Sequence, residues 1–543
     1  METYEFVLPS LWMGLGVVIL LFAIFYYVGY RSAKITTTAE DFYAAGYSIG
    51  PLANGLAMAA TWASLATFMG VIALIYALKA PFVYLWIQWA LSIPLLTLLY
   101  GACLRRMKAF TPASFIKVRY GNEAAIISII WMCLAMVMYA LGQMIGLGMA
   151  FEVLFGIDYN YALIIVGIAT VGFITMGGMY GASYNAAFQM VVMTLAIVVP
   201  MGAIMKTMGS SGWWFPPLAY GDMVPQMLDV IPDFFDMKYD YRWYFALIPA
   251  FTMGPIALPH LAMRIFTSSS VKSARWSVVW FILFLGLLFS GTYTAGFAGN
   301  YFTATEGMQI KPPDMTIFAL NVFYNPAIVA AFVIGGAVAA GLSTIGGNLM
   351  AISGLIGSDF LGIIRPKMET KKKMTYGYAA LGIGGIAAIL LAFSPPAFLV
   401  TSILWAFGLL ATAVAPGILL GVWWKQANKA AMMISSVVCG AIYIIISPHV
   451  LPNISHGGQS LVAKLGMSGA MVTVPLAYAS LVILSLLFNK MGVTAVDLDT
   501  KKMIDRIHGW GSEYDELRYN GSIMPAAVVV ICVIVFIWGL QPW

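Results

Sequence analysis

The sequence predicts an all-α integral membrane protein with about 14 transmembrane helices, and three observations support this fold class. The 543-residue chain is 61% hydrophobic and only 9% charged, with a mean hydropathy of +0.89. A soluble surface needs far more charge than this. The apolar residues come in stretches of about 20, the length of a helix that crosses a bilayer. Backbone groups in hydrocarbon have to hydrogen-bond within their own segment, so these stretches are helical.

Lysine and arginine are distributed unevenly over the loops between the apolar stretches. We predict fourteen spans, at residues 11–31, 50–77, 82–103, 123–153, 160–178, 184–206, 242–266, 276–299, 325–358, 374–394, 397–423, 428–448, 468–489 and 521–541. With the N-terminus outside, the cytoplasmic loops hold 22 of the 28 Lys and Arg residues, in agreement with the positive-inside rule. We therefore expect a multi-pass protein of the plasma membrane with both termini extracytoplasmic.

Charge, cysteine and histidine content argue against several classes of protein. The net charge of +6 is spread over the loops, so nucleic acid is not an expected partner. The four cysteines lie in or beside predicted spans and form neither a disulfide framework nor a metal motif. The four histidines are scattered, which argues against haem ligation and against a membrane enzyme. We expect no organic cofactor, no enzymatic activity, and a monomer surrounded by lipid.

Two predicted spans contain interruptions, and these spans lie five apart. The second span holds an Ala-rich run with Trp and Ser at 56–70, and the seventh holds Thr252–Pro255 followed by Pro259. Broken helices at matching places in two halves are typical of inverted-repeat transporters, whose binding site lies where the breaks meet. The predicted organisation is a peripheral segment 1–49, a first repeat 50–206, an outer loop 207–241, a second repeat 242–423 and peripheral helices 424–543.

Two adjacent hydroxyls, Ser343 and Thr344, lie in a stretch of 44 residues without a charge. The run from Ala60 to Ser64 interrupts the second span with further polar groups. Hard cations prefer oxygen ligands, and a backbone carbonyl is free to bind one where a helix is unwound. The two runs are therefore candidates for a cation site. The alternative is that the hydroxyls bond back to carbonyls four residues earlier in their own helix.

Five stretches carry a family pattern that extends over most of residues 10–425. They are Asp41–Gly46 with Gly50-Pro51, Asn54 through Gly70, Gly177-Gly178 through Gln189, Leu258-Pro259-His260 with Arg264–Thr267, and Ala339 through Asp359. In this combination the chain resembles the sodium:solute symporter family, which implies the 5+5 inverted-repeat core of the leucine transporter. Leu154-Phe155-Gly156, after a helix that carries Gln143, makes it most similar to the acetate and monocarboxylate permeases.

The resemblance implies one Na⁺ as the coupling ion, held between the first and the eighth core helix. Its ligands would be the backbone carbonyls of Ala60, Ala63 and Ala340 and the hydroxyls of Ser343 and Thr344. Many relatives have an Asp where this chain has Ala186, and further hydroxyls where it has Ile345-Gly346-Gly347. We therefore expect one Na⁺ per cycle, and the lack of a titratable relay in the core favours Na⁺ over protons as the coupling ion.

A small carboxylate is the expected substrate, because one anion that enters with one Na⁺ moves no net charge. The broken helices would present their half-helix N-termini to this anion. The candidate substrate-binding side chains are Trp62, Ser64, Thr67, Gln88, Tyr139, Gln143, Thr252 and Trp405. For each of them packing within the bundle is the alternative, and for His260 we expect a polar contact at a helix end.

Other functions fit these features less well. A channel would need rings or repeated pore loops for its selectivity filter, and the sequence has none. A receptor-like sensor built on the same core stays open. Among transporters, an H⁺-coupled carboxylate symporter and a symporter for another neutral or zwitterionic solute are the alternatives. The sequence does not separate acetate from propionate, pyruvate, lactate or an aromatic acid.

Overall fold

The computed structural model describes residues 10–86, 92, 96–174, 177–238, 244, 246–395, 399–447, 469–494, 496–510 and 530. These residues are mostly helical, and the extended pairing found among them is an isolated bridge between Ile49 and Ser268. Within the described part, eight helices are long and apolar enough to span a membrane, or ten if each of two bent pairs counts as one span. The all-α membrane fold class is confirmed, while the count of fourteen spans stays a prediction.

The N-terminal half of the described chain contains the first broken helix. Its helices are α1 (Leu11–Ala33), α2 (Ala39–Ala44), α3 (Pro51–Trp62), α4 (Ile72–Leu78), α5 (Pro81–Trp86), α6 (Ala102–Met107), α7 (Pro112–Tyr120), α8 (Asn122–Phe155), α9 (Tyr159–Ile174), α10 (Gly178–Thr207) and α11 (Pro216–Val230). A π-helical turn at Ala66–Val71 leads into α4, and another at Thr97–Gly101 leads into α6. The second predicted span thus consists of α3, a break, the π turn and α4.

The C-terminal half contains the second broken helix. Its helices are α12 (Ile248–Met253), α13 (Pro259–Thr267), α14 (Val271–Glu306), α15 (Thr316–Tyr324), α16 (Ala327–Ser353), α17 (Leu361–Ile364), α18 (Thr370–Ala392), α19 (Val400–Ala413), α20 (Ala415–Trp423), α21 (Lys429–Ile446), α22 (Gly469–Met491) and α23 (Leu498–His508). A 3₁₀ turn at Gly254–Ala257 separates α12 from α13, and a π segment at Gly354–Phe360 extends α16. The last predicted span, 521–541, lies outside the described residues except for residue 530.

Short helices between the spans begin at local capping signals. The Thr38 hydroxyl accepts the Asp41 N–H at 3.1 Å, and the Asp41 carboxylate accepts the Thr38 N–H at 2.9 Å, a capping box that starts α2. Thr111 caps α7, whose first residue is Pro112. The outer loop 207–241 contains α11. The hydropathy pattern predicts none of these helices, because they neither span the bilayer nor form an apolar run.

Small residues let the core helices approach closely around α3. This helix packs against α10, α13, α14 and α16. A Cβ added to Gly336 of α16 would lie 2.4 Å from the Cβ of Ala196 on α10, and one added to Gly341 would lie 2.6 Å from Leu147 on α8. Helices in lipid associate by such close van der Waals packing. A Cβ on Gly347 of α16 would lie 2.9 Å from Thr61 of α3, so this glycine lets the polar run of α16 lie against the last turn of α3.

Candidate cation and substrate site

The first break lies between α3 and the π turn that leads to α4. Ala63 leaves the helical region, with φ −74° and ψ 63°, and the two arms meet at 57°. Its N–H still donates to the Ala59 carbonyl at 2.7 Å, but the Ser64 N–H donates to the Trp62 carbonyl at 2.8 Å, a turn too tight for any helix. The interruption that composition predicts in the second span is therefore present.

Two side chains satisfy the backbone just after this break. The Leu65 N–H donates to Gln143 Oε1 at 2.9 Å, and the Ala66 N–H donates to Ser64 Oγ at 3.1 Å. A buried N–H at the start of a helical arm needs such a partner, because no carbonyl precedes it within the arm. Gln143, predicted as a substrate-binding residue, thus also caps the second arm.

The hydroxyls of α16 lie against the carbonyls of α3 before the break. Ser343 Oγ lies 2.8 Å from the Ala60 carbonyl oxygen and 2.9 Å from that of Ala340. Thr344 Oγ1 lies 3.2 Å from the Thr61 carbonyl oxygen. A hydroxyl has one proton, so Ser343 can donate to only one of its two carbonyls at a time. Four of the five predicted ligand groups thus meet where α3 crosses α16.

The fifth predicted ligand group belongs to Ala63, which lies at the break itself. The carbonyl next to Thr344 is that of Thr61, two residues earlier, and we add Thr61 to the candidate ligands. The role of the Ala63 carbonyl stays a prediction. The hydroxyls do not simply bond back within their own helix: Ser343 reaches both helices, and the recorded bond of Thr344 crosses to α3.

A Na⁺ ion matches this oxygen cluster in its chemistry. Hard monovalent cations prefer oxygen to nitrogen or sulfur, and carbonyl and hydroxyl oxygens supply partial negative charge without a carboxylate. Ala60, Thr61, Ala340, Ser343 and Thr344 are all buried, so a bound cation would be stripped of most of its water. No group of three or more His, Cys, Asp or Glu that could hold a metal occurs among the described residues.

The second break lies between α12 and α13. The chain tightens into the 3₁₀ turn, extends at Leu258 with φ −69° and ψ 111°, and re-enters a helix at Pro259. Proline has no N–H to leave unpaired at a first helical position. A Cβ on Gly254 would lie 2.6 Å from the Phe407 carbonyl oxygen, so glycine lets the turn touch α19. The interruption predicted in the seventh span is present, with its unwound residue at Leu258.

Four aromatic rings, which we name the ring cluster, meet between the two breaks. Trp62 stacks on Phe407 with ring centroids 5.5 Å apart, and Tyr139 meets Phe407 edge-on at the same distance. Phe251 meets Phe407 edge-on at 6.2 Å. The Ser64 hydroxyl lies beside the Tyr139 hydroxyl. Residues from α3, α8, α12 and α19 thus form one wall with a polar edge at Ser64.

The remaining predicted polar residues divide into three groups. Gln143 is fully buried, and its Nε2 has no hydrogen-bond partner in the described part of the chain. Thr67 is buried in the π turn, and Thr252 is partly exposed on α12. Gln88 lies outside the described residues. The amide of Gln143 is therefore the clearest free donor near the ring cluster.

The α19 contribution to the pocket differs from the one predicted. Trp405 was expected on the pocket wall, but its ring lies 5.9 Å from that of Tyr443 on α21, and its carbonyl accepts the Tyr443 hydroxyl at 3.0 Å. Two residues along a helix are about 200° apart, so Trp405 and Phe407 face opposite ways. We transfer the wall position to Phe407, which the sequence analysis did not identify.

His260, in the first turn of α13, and Arg264, one turn later, are both buried in the bundle. The His260 ring lies 5.2 Å from the Tyr139 ring, and its Nδ1 is 3.2 Å from Met136 Sδ. Arg264, which the sequence count includes among the 22 cytoplasmic basic residues, is 0% exposed and lies inside the bundle, so it is not a surface loop residue, while its side of the membrane stays a prediction. The predicted span ended at 266, and a basic residue so near a span end is normally taken for an interfacial one.

The breaks, the oxygen cluster and the ring cluster all lie within a region that matches a known family. The model of the sodium:solute symporter family matches residues 42–439. The chain belongs to this family. It is therefore a multi-pass membrane symporter that couples solute to Na⁺, and not an enzyme.

Solved structures share the symporter's fold at low sequence identity. A Na⁺-coupled sialic acid symporter in a substrate-bound, outward-open state is 17% identical, with a TM-score of 0.72, over 88% of this chain and 98% of that chain. Mhp1, a nucleobase-cation-symport-1 family transporter, in a closed conformation with bromovinylhydantoin bound, is 13% identical, with a TM-score of 0.51, over 91% and 100%. The leucine-transporter-like fold is thereby confirmed, while the boundaries 50–206 and 242–423 stay predictions.

Proposed function

We propose that the symporter imports a short monocarboxylate, such as acetate, together with one Na⁺ by alternating access. The observation that carries this proposal is the pairing of an uncharged oxygen cluster with the ring cluster, beside which the Gln143 amide is a free donor. The oxygen cluster suits one cation. The Gln143 amide, the Tyr139 hydroxyl and the Ser64 hydroxyl suit one small acceptor such as a carboxylate.

This core offers few oxygen ligands for a second cation. Ala186, where many relatives have an Asp, is buried on α10 with an apolar side chain. Ile345, Gly346 and Gly347 after the hydroxyl pair offer no side-chain oxygen either. These residues support a stoichiometry of one Na⁺. One Na⁺ with one monovalent anion carries no net charge across the membrane, whereas one Na⁺ with a neutral or zwitterionic solute carries one positive charge.

Transport measurements on purified protein in proteoliposomes test this proposal. We expect labelled acetate, propionate, lactate or pyruvate to accumulate under an inward Na⁺ gradient, with no dependence of the initial rate on an imposed membrane potential. Accumulation under a pH gradient in Na⁺-free buffer, beyond that of protein-free liposomes, which the undissociated acids cross unaided, would instead identify an H⁺-coupled symporter. A Na⁺-dependent inward current with a neutral or zwitterionic solute, and none of these acids transported, would overturn the carboxylate assignment.

A further inference from the structure

Arg264 is a fully buried cation on α13 that has no acidic partner in the described part of the chain. Its Nη1 donates to Ser183 Oγ at 2.7 Å, and its Nη2 donates to the Ala182 carbonyl at 3.3 Å and, at a longer 3.4 Å, to Thr61 Oγ1. Its Nε has no hydrogen-bond partner among the described residues. The guanidinium therefore keeps its charge in a membrane protein's interior with only neutral oxygens around it and one donor unused.

Other buried arginines of the symporter are satisfied differently. Arg119 donates to the carbonyls of Gly421, Trp424, Lys425 and Ala427 and so ties α7 to the loop after α20. Arg105 donates to the carbonyls of Ser268 and Ser269. Removing a charge from water is costly unless it is paired or fully hydrogen-bonded, and ionisable groups within membrane bundles mark binding sites or transport paths. Arg264 is thus the candidate for a partner that arrives with the transport cycle.

The position of Arg264 connects it to both parts of the candidate site. His260, one helical turn earlier on α13, contacts the Tyr139 ring of the ring cluster. On the other side, Thr61 accepts a hydrogen bond from Arg264 through its hydroxyl and one from Thr344 through its carbonyl. Arg264 therefore lies about 6 Å further along α13 than His260, away from the second break and towards the face with the predicted cytoplasmic loops.

We propose that Arg264 forms a second, transient carboxylate-binding subsite, which the substrate anion occupies between the ring cluster and the face that carries the basic loops. This inference rests on the proposed function, because it takes the substrate to be an anion. A guanidinium binds a carboxylate through two parallel N–H donors, and Nε with Nη2 is one such pair, in which Nη2 would exchange its long 3.4 Å bond to Thr61 Oγ1 for the anion. The subsite would lower the cost of moving the anion away from the Gln143 donor before the anion reaches water.

Transport measured from each face tests the subsite. Right-side-out and inside-out membrane vesicles carrying the full chain are used, with acetate as the probe at saturating Na⁺. In Arg264→Gln we expect the acetate half-saturation for movement from the basic-loop face to rise about tenfold. This is the loss of affinity expected when hydrogen bonds to a charged group are removed. From the opposite face it should change little. Arg264→Lys keeps the charge but not the two-pronged geometry, and an intermediate rise is expected.

Charge and helix contacts are separated by a competitor and a control variant. Acetamide resembles acetate in size but has no charge. Its inhibition of acetate uptake from the basic-loop face should therefore be weak, and equally weak in wild type and in Arg264→Gln. Arg119→Gln also removes one buried cation on that side, yet its hydrogen bonds go to backbone carbonyls and its guanidinium otherwise lies over the Tyr120 ring. Arg119→Gln can lower the amount of folded protein, but the acetate half-saturation of the protein that folds should equal that of wild type from both faces.

Failure of the subsite is distinguishable from failure of the proposed function. If wild-type vesicles take up no monocarboxylate from either face, the carboxylate assignment fails first and the subsite fails with it. If wild-type protein transports acetate, but Arg264→Gln and Arg264→Lys change the half-saturation equally from both faces or not at all, the subsite is refuted alone. Should Arg264→Gln not fold, Arg264→Lys decides, because an unchanged half-saturation in that folded protein contradicts the proposed two-pronged contact.

Discussion

The two helix breaks at the centre of the symporter offer charge of opposite sign. Around the first break, the carbonyls of Ala60 and Thr61 and the hydroxyls of Ser343 and Thr344 present oxygen atoms. Beyond the second break, α13 presents the guanidinium of Arg264. The first break is capped by a side chain from α8, whereas the second is packed tightly against the backbone of α19. The oxygen atoms before the first break suit a cation, and the guanidinium beyond the second break suits an anion.

This difference explains how a core with few acidic side chains can suit two ions. A cation among carbonyl oxygens and an anion near a guanidinium each find partial or full opposite charge without a buried carboxylate. Thr61 belongs to both regions, because its carbonyl lies near Thr344 and its hydroxyl near Arg264. A shift of α3 would therefore change both sites together, which is what coupling of the two ligands requires.

Removal of one oxygen from the first region should have the largest effect. We expect Ser343→Ala and Thr344→Ala each to raise the Na⁺ half-saturation of uptake about tenfold to a hundredfold, because each removes a ligand of a desolvated ion. The measurement is uptake at saturating solute over a Na⁺ titration.

Thr194→Ala is the matched control for these two variants. Thr194 is buried on α10 and donates to the Met190 carbonyl of its own helix at 2.8 Å. Its loss should leave the Na⁺ half-saturation unchanged. An unchanged Na⁺ dependence in both Ser343→Ala and Thr344→Ala would remove the oxygen cluster as the cation site.

The breaks themselves were predictable from the sequence, because each leaves a local signal. A helical run in lipid that contains adjacent small, hydroxyl and proline residues has weak points, and the runs at 59–64 and 252–260 are of this kind. The pair Ser343-Thr344 was equally visible in an uncharged stretch. The bend of 41° between α19 and α20 was missed, although Pro416 was its signal, since proline removes one helical hydrogen bond.

The direction of side chains was not predictable. An apolar helix buried on most sides has no polar face to orient it, so the sequence could not choose between Trp405 and Phe407 as the pocket residue. Arg264 was missed for a related reason: its depth is decided by how α13 re-enters the bundle after Leu258, and that depends on packing against α3 and α16. Both errors concern tertiary contacts between helices that local composition does not record.

Replacement of the free Gln143 amide near the first break by a carboxylate should have the next largest effect. Gln143→Glu keeps an oxygen that can accept the Leu65 N–H but replaces Nε2 with a second, negatively charged oxygen. At alkaline pH we expect the half-saturation for acetate to rise about tenfold or more, because the acetate loses a hydrogen-bond donor and meets a second negative charge. Initial rates over a range of acetate concentrations measure it. An unaltered half-saturation would show that the Gln143 amide does not contact the anion.

Substitution of Phe407 or Trp405 on α19 should have a smaller effect on substrate affinity, and the two substitutions should differ. Phe407→Ala removes the ring that contacts Trp62, Tyr139 and Phe251, and we expect the substrate half-saturation to rise about twofold to tenfold, in line with measured aromatic pair energies. Trp405→Ala removes a ring that faces Tyr443 and should change stability more than substrate affinity. A larger effect on affinity in Trp405→Ala would restore the pocket wall that the sequence predicted.

The smallest effect should come from the loop that covers the outer arm of the first break. Asp314, in the 3₁₀ turn before α15, packs against α4 and the π turn. Burial raises the pKa of this carboxyl from 3.8 to about 7, and a backbone interaction with Leu399 only partly offsets the rise.

The sign of the resulting pH dependence follows from that shift. The unfolded chain loses the proton near pH 3.8, whereas the folded protein keeps it until about pH 7, so stability is highest below the lower value and falls as pH rises through the higher one. We expect the apparent Tm in detergent to decrease between pH 5 and 8, and Asp314→Asn to flatten that decrease. Asp229→Asn, an exposed carboxylate on α11, is the control and should leave the slope unchanged. A slope that is the same in Asp314→Asn as in wild type would show that the Asp314 carboxyl does not take up its proton on folding.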